Sequence, residues 1–166
     1  MRHAWIISLF ALLSACGFHL RGSIRIPQSM MPVAVISKSG HSPLERLLES
    51  RLRLHDVAVT DDPAIAKYWI VILNEYLRQD IAAVAASTAP RQYQLTLKVV
   101  FQIQKAKGKT KLPPEPIKVS VNRLLTINND RILGSDSEAA ILKQEMEADV
   151  ATQILAKLEN SLYIDK

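Results

Sequence analysis

The sequence contains few residues of the kinds that build disulfides, metal centres and phosphate-binding loops. Its 166 residues include one cysteine, four histidines and five glycines. A lone cysteine forms no intrachain disulfide, so the fold must be stabilised by packing. The histidines, at positions 3, 19, 41 and 55, form no pattern with metal-ligand spacing. Scarce glycine argues against a loop that cradles phosphates.

The chain also lacks a strong excess of one charge and a long apolar run. Its formal net charge is +5, which is mildly basic and unlike a polycationic nucleic-acid-binding protein. We therefore expect no nucleic-acid partner, whereas an anionic lipid or a polyanionic glycolipid would suit this balance. The apolar run from Trp5 to Ala15 is shorter than the roughly 20 residues that a transmembrane helix needs.

The N-terminal segment has the form of an export signal that ends at the only cysteine. Arg2 precedes the short apolar run, which ends in the small residues Ser14 and Ala15. The tetrapeptide Leu13-Ser14-Ala15-Cys16 is the pattern at which bacterial enzymes attach a diacylglycerol to the thiol, cleave before the cysteine and acylate the new amine. Several acyl chains would anchor the protein durably, since one chain binds a membrane only marginally. The simpler alternative is an ordinary signal peptide or apolar helix with a buried cysteine.

These features divide the chain into three parts. Residues 1–15 are a predicted lipoprotein signal peptide, and residues 16–32 are a lipidated tether that contains Pro27 and Pro32. Residues 33–166 are a single predicted domain. Apolar residues make up 48% of the chain, which is enough for a core in a domain of this length.

Capping signals predict two helices, and apolar runs predict about four strands. Ser42 with Glu45 is a capping box, and Pro43 stands at the first helical position. Leucines at helical spacing continue this helix to residue 54. Ser135 and Glu138 form a second capping box, which opens a helix that ends at about residue 162. The predicted strands cover residues 33–36, 67–83, 91–104 and 117–127.

The third strand alternates between apolar and polar residues, so one face meets a core and the other meets something polar. Its apolar side is Tyr93, Leu95, Leu97, Val99, Phe101 and Ile103; its polar side is Gln92, Gln94, Thr96, Lys98, Gln102 and Gln104. Together the elements predict an α+β fold. It is a two-layer α/β sandwich in which a mixed sheet of about four strands carries two helices on one face.

Three groups of residues resemble catalytic or metal sites, but each has a simpler structural explanation. His41 beside Ser42 could be a base and a nucleophile, yet helix capping explains the serine. Asp61 and Asp62 precede a proline and more simply mark a turn. The acidic residues of the second helix are interpreted as a solvated face: Glu145, Glu147 and Asp149. We therefore do not expect an enzyme.

From the cysteine onward, the sequence resembles the LptE family of lipopolysaccharide-assembly lipoproteins. The segment Cys16-Gly17-Phe18-His19-Leu20-Arg21-Gly22 is typical of the mature N-terminus in that family. Later stretches are similar in the same order: Pro43-Leu44, Arg91-Gln92-Tyr93-Gln94-Leu95, Arg123, Glu145-Met146, Asp149, Gln153 and Leu158. The resemblance extends over nearly the whole mature chain.

This resemblance implies a non-catalytic lipoprotein in the inner leaflet of the outer membrane. Family members sit largely inside the lumen of the outer-membrane β-barrel LptD, help it to assemble, and bind lipopolysaccharide. The two-layer α/β fold expected for the family agrees with the one predicted above. Gly17 after the cysteine fits an outer-membrane destination. No cofactor is implied beyond the covalent lipid on Cys16.

Basic residues are the candidates for lipopolysaccharide binding, because the resemblance implies contacts from cations near the strand and helix loops. We select Arg91, Arg131, Lys98 and Arg123 by position and charge. Lys105, Lys107, Lys109 and Lys111 could also meet phosphates, although a solvated loop is the simpler interpretation. The glutamine side of the third strand could contact a polar barrel lumen or could be an ordinary solvated face.

Two other functions stay open at this point. A generic periplasm-facing lipoprotein adaptor would bind another envelope protein or peptidoglycan and would need no barrel. A lipid-anchored hydrolase would need a nucleophile and a base in one cleft, which the few histidines of the sequence argue against.

Overall fold

A computed structural model describes residues 26–40, 42–84, 90–106, 115–126 and 132–164. Within these ranges one four-stranded sheet has the order β1-β2-β3-β4. The strands are β1 Val33–Ser37, β2 Tyr68–Val84, β3 Pro90–Lys105 and β4 Ile117–Thr126; the helices are α1 Pro43–Leu54 and α2 Ile132–Ile164, and a 3-10 helix covers Gln28–Met30. The predicted lipidation site Cys16 and the candidate Arg131 lie outside the described residues.

The sheet is mixed, and both helices pack on the same face of it, here called the helix face. β1 runs parallel to β2, whereas β2, β3 and β4 are successively antiparallel. Leu48 of α1 and Met146 of α2 are fully buried in one hydrophobic cluster with Ile72 of β2 and Leu97 of β3. This arrangement confirms the predicted α+β sandwich.

Helix α1 begins where the capping box predicts. The Ser42 hydroxyl accepts a hydrogen bond from the Glu45 backbone N–H at 3.1 Å, and the Glu45 carboxylate accepts one from the Ser42 N–H at 3.3 Å. Pro43 occupies the first turn, where its missing N–H costs no hydrogen bond. The helix buries the leucines of one stripe against the sheet: Leu44, Leu48 and Leu52.

The alternation predicted for β3 is confirmed. Leu95, Leu97, Val99 and Phe101 are buried, while Gln94 and Lys98 are exposed. Thr96 is the exception on the polar side, at 7% exposure. It lies on an inner strand between Arg78 of β2 and Asn122 of β4, whose longer side chains flank it.

A register shift in β2 changes which residues face the helices. Before it, Ile70 and Ile72 pair with β3 residues of the helix face. The register shifts between Ile72 and Asn74, after which Glu75 lies opposite the buried Val99 and Leu77 lies opposite the buried Leu97. One extra residue therefore moves odd-numbered β2 side chains onto the helix face, as a β-bulge does.

The predicted start of the second helix is wrong by four residues, because an N-cap at Ser135 places the first helical residue at position 136. Helix α2 already includes Ile132, so Ser135 lies inside its first turn and is not the residue before it. Serine is preferred at helix N-caps, but inside a helix it costs only a few tenths of a kcal/mol to about 0.7 kcal/mol. The S-x-x-E signal therefore lies within a helix that has already begun.

The prediction of a fully solvated acidic face on α2 is wrong for Glu147. Glu145 is exposed, whereas Glu147 is only 7% exposed. A helical turn has 3.6 residues, so the buried stripe drifts around the axis and includes Ala151 as well as Val150. Glu147 precedes Ala151 by one turn and so lies at the edge of the core.

Candidate binding surface

The face of the sheet opposite the helices carries mostly polar residues, and we call it the polar face. Pairing residues of antiparallel strands share a face, so even-numbered residues of β3 and β4 lie here, together with the even-numbered β2 residues from Asn74 to Asp80. Its members include Tyr76, Arg78, Asp80, Gln92, Gln94, Lys98, Gln102, Gln104, Lys118, Ser120, Asn122, Leu124 and Thr126.

Three cations cross the polar face on a diagonal, one from each of the three strands. Lys98 lies opposite Tyr76 and Ser120, while Arg78 lies opposite Thr96 and Lys118 lies opposite Val100. Arg78 and Lys118 are therefore diagonal neighbours of Lys98, at backbone separations of about 7–8 Å each. This spacing lets the three side chains reach one extended anion from the same side.

The charge of this diagonal is only partly neutralised. Asp80 accepts the Arg78 Nε–H at 2.7 Å, and it is the only acidic residue on the described part of the polar face. Both members of this pair are about half exposed. The two lysines and the partly neutralised arginine leave the polar face basic.

Large apolar side chains flank the cations. Tyr76 is 52% exposed and lies opposite Lys98, and Leu124 is 60% exposed and lies opposite Gln94. Leu124 lines a shallow depression together with Gln94, Asn122 and Arg123. Cations beside apolar side chains can bind an amphiphile that carries phosphates on an apolar body.

The structure does not bring the four predicted lipopolysaccharide-binding residues together. Lys98 lies on the polar face, whereas Arg123 lies opposite the buried Leu95 and so belongs to the helix face. Arg123 forms an ion pair with Asp149 of α2, and its Nη1 donates to the Asn122 carbonyl at 3.0 Å. This arginine therefore links β4 to α2. Arg91 belongs to β3.

Of the basic segment predicted after β3, the structure describes Lys105 and no other lysine. The Lys105 ammonium lies 5.9 Å from the centroid of the Tyr68 ring, within the range of a cation–π contact. Lys107, Lys109 and Lys111 lie outside the described residues, so their proposed contact with phosphates stays a prediction.

Carboxylates from β2 and α2 come close together at the N-terminus of α1. Burial raises the pKa of the Glu75 carboxyl, and the nearby Glu147 carboxylate raises it further, whereas Lys143 and the hydroxyl of Ser42 oppose the change. The Lys143 ammonium lies 3.7 Å from Glu147. One lysine thus faces two carboxylates in a half-buried position.

The residues that resembled catalytic or metal sites have structural roles where the structure describes them. Ser42 caps α1. Asp62 accepts the Ala64 N–H at 2.9 Å, as expected for a turn, and Asp61 pairs with Arg53 at 3.1 Å. Across the described ranges, no group of three or more histidine, cysteine or acidic residues is placed to hold a metal ion. None of the described helices is long and apolar enough to cross a membrane.

Sequence reasoning missed Arg78 and Lys118 as neighbours of Lys98. The period-two alternation of β4 places Lys118 on one face with Ser120, and this alternation can be seen in the sequence. The diagonal, however, depends on strand register and on the shift after Ile72, which a single sequence does not reveal.

The described residues therefore form a two-layer α/β domain with a basic, polar sheet face opposite its helices. Residues 31–158 match the family model LptE, described as lipopolysaccharide-assembly. The chain belongs to the LptE family, which confirms the resemblance seen in the sequence, and it is therefore an envelope lipoprotein of lipopolysaccharide assembly.

Individual relatives agree with this membership, and a solved structure shares the fold. The chain is 30% identical to the LPS-assembly lipoprotein LptE of Yersinia enterocolitica, over 95% of this chain and 77% of the relative. It is also 30% identical to the protein of that name from Pectobacterium atrosepticum, over 95% of this chain and 86% of the relative. The fold is similar to that of rare lipoprotein B from Shewanella oneidensis, with a TM-score of 0.68 and 19% identity over 81% of this chain and 98% of that one.

Proposed function

We propose that this chain is a non-catalytic, lipid-anchored subunit of the β-barrel LptD, which delivers lipopolysaccharide to the cell surface. In this role it is attached to the outer membrane through Cys16 and faces the periplasm. It occupies the barrel lumen, assists assembly of the barrel and binds lipopolysaccharide. The chain needs no cofactor for this role other than its covalent lipid.

The observation that supports this proposal is the polar face. Most of its side chains are uncharged hydrogen-bonding groups, including Gln94, Ser120 and Asn122. The lumen of an outer-membrane barrel is polar, so a protein inside it needs a surface that can form many hydrogen bonds without burying unpaired charges. A sheet face of this composition fits that environment.

The basic diagonal supports direct binding of lipopolysaccharide. Arg78, Lys98 and Lys118 present three cations on one side of the sheet, and the phosphates of the glycolipid are their natural counter-charges. Tyr76 and Leu124 add exposed apolar surface to the same face. Arg123 contributes less in this proposal, because Asp149 already neutralises it.

Binding of lipopolysaccharide to the purified full-length lipoprotein tests the role of the diagonal. The double substitution Lys98→Gln with Lys118→Gln removes two of its cations. We expect the dissociation constant to rise by about 2- to 30-fold, from about 0.2–1 kcal/mol for each exposed charge pair and tenfold for each 1.4 kcal/mol. Surface plasmon resonance on immobilised lipopolysaccharide measures this change.

A matched control distinguishes the effect of the diagonal on binding from the effect of the overall charge of the protein. Lys38→Gln with Lys157→Gln also removes two exposed lysines, from the turn after β1 and from α2. This control should bind as well as the unaltered protein. Equal loss of binding in both double variants would contradict a site on the polar face.

A further inference from the structure

More than half of β2 has an edge that no strand covers among the described residues. β1 pairs with β2 only from Tyr68 to Ile72, and the Lys38 N–H donates to the Ile72 carbonyl at 3.0 Å as β1 ends. From Asn74 to Val84, the described residues pair with β2 only on its β3 side. We call Asn74–Val84 the free edge. Its backbone groups can accept another strand.

The side chains of the free edge are unusually apolar for an uncovered edge. Leu77 is 41% exposed and Ile81 is 60% exposed, and both lie on the helix face. Arg78 and Asp80 lie on the polar face. Charged residues on an edge usually block unwanted strand pairing. Here the two charges have opposite signs and stand on either side of Gln79.

We propose that the free edge pairs antiparallel with the free edge of a second copy of this chain, with Gln79 opposite Gln79. In this register, Leu77 lies opposite Ile81 of the second copy on the helix face. Arg78 lies opposite Asp80 of the second copy on the polar face. Each pair occurs twice, because the interface has twofold symmetry.

The charged residues favour this register over the two registers whose symmetry axis lies one residue away. Twofold antiparallel pairing always places one residue opposite itself on the symmetry axis. An axis at Arg78 would set two guanidinium groups against each other, and an axis at Asp80 would do the same with two carboxylates. Like charges directly opposite each other are destabilising, whereas opposite charges and apolar pairs are favourable. Of these three axes, only the one at Gln79 satisfies both the charged and the apolar residues, and this self-complementarity is the reason for assigning a second copy as the occupant.

The dimer is expected to be weak and to depend on the membrane. One strand pair buries less than the roughly 1,200–2,000 Å² of a standard stable interface. Two lipid-anchored copies would meet at a raised effective concentration on a shared membrane. High salt should weaken the contact, because its ion pairs are exposed. The pairing concerns copies that are outside a barrel lumen, so it does not depend on binding to a barrel.

Cysteine cross-linking in bacterial membranes tests the register with the full chain. Gln79→Cys places two thiols opposite each other, so mild oxidation should produce a covalent dimer on a non-reducing gel. Tyr76→Cys is the matched control on the same strand, since it lies opposite Ala82 of the second copy and about 20 Å from its own counterpart. The control and the unaltered chain should stay monomeric.

Charge-reversal variants at positions 78 and 80 then distinguish this specific contact from random collision of two copies in the membrane. In the Gln79→Cys background, Arg78→Asp alone and Asp80→Arg alone should each lose most of the cross-linked dimer. Co-expression of the two variants should restore it, because the carboxylates of one copy then face the guanidinium groups of the other. Loss of the Arg78–Asp80 pair within each chain cannot explain such a rescue.

Three results would overturn the proposal. The first is no dimer from Gln79→Cys. The second is equal cross-linking in the single charge variants and in their mixture. The third is an adduct with a different protein in place of the dimer, which would mean that another partner occupies the free edge.

Discussion

At the scale of the residue, Glu75 is an acidic side chain whose burial disfavours its charged form. Its carboxyl is half-buried beside Glu147, and Lys143 is the cation that offsets both. A raised pKa in the folded protein means that the ionised form is less favourable there than in the unfolded chain. The resulting penalty is absent below the ordinary pKa of 4.5 and is complete once the pH exceeds the raised value.

Glu75→Gln should therefore stabilise the protein at neutral pH. Glutamine removes the charge and keeps a group that can hydrogen-bond to Ser42. The melting temperature should exceed that of the unaltered protein at pH 7, and the difference should shrink as the pH falls towards 4. Thermal unfolding followed by circular dichroism at several pH values measures this. Glu145→Gln, at an exposed site on α2, is the control and should show no such trend.

Among the candidate binding residues, the sequence predicted the exposure of some side chains but not their partners. Lys98 lies on an exposed strand face, as alternation predicts, but Arg123 has the opposite parity and pairs with Asp149. Charge alone did not distinguish the two, because a sequence does not state which carboxylate an arginine meets. The roles of Arg91, Arg131, Lys98 and Arg123 in binding lipopolysaccharide stay predictions.

At the scale of the element, local signals predicted the fold well. The capping box at Ser42 and the alternation along β3 each depend on neighbours within a few residues, and both are confirmed. Features that depend on distant partners were missed. The register shift after Ile72 needs β3 as a reference, and the burial of Glu147 depends on how α2 packs against the sheet and α1.

Truncation of β3 tests the assignment of its two faces. Leu97 is completely buried, so Leu97→Ala should lower the free energy of unfolding by about 2–5 kcal/mol through lost burial and a cavity. Leu124→Ala, at an exposed leucine on the polar face, should change it by less than about 0.5 kcal/mol. Urea denaturation measures both. Similar midpoints for the two variants would contradict the assignment of faces.

At the scale of the whole molecule, a predicted lipid anchor precedes the α/β domain that the structure describes. Membership of the LptE family assigns the chain to lipopolysaccharide assembly, while the anchor itself stays a prediction from the N-terminal sequence. That prediction depends on a thiol at position 16, because the enzymes described above form a thioether there.

Cys16→Ala should accordingly yield an unprocessed and unlipidated precursor. Cells grown with labelled palmitate should incorporate it into the unaltered protein and not into the variant. The variant should also migrate more slowly on a gel, since it keeps residues 1–15. Palmitate retained by the variant would refute lipidation at this cysteine.

Gentle detergent extraction of the tagged full-length protein, followed by identification of co-purifying proteins, tests whether the chain is a subunit of a β-barrel. The unaltered chain should retain a stoichiometric large β-barrel. So should a control with Gln144→Glu and Gln153→Glu, both at exposed positions on α2. Gln94→Glu with Ser120→Glu, on the polar face, should release the barrel. Recovery of the lipoprotein alone, from membranes that contain the barrel, would contradict the proposed role as a barrel subunit and favour a generic envelope adaptor.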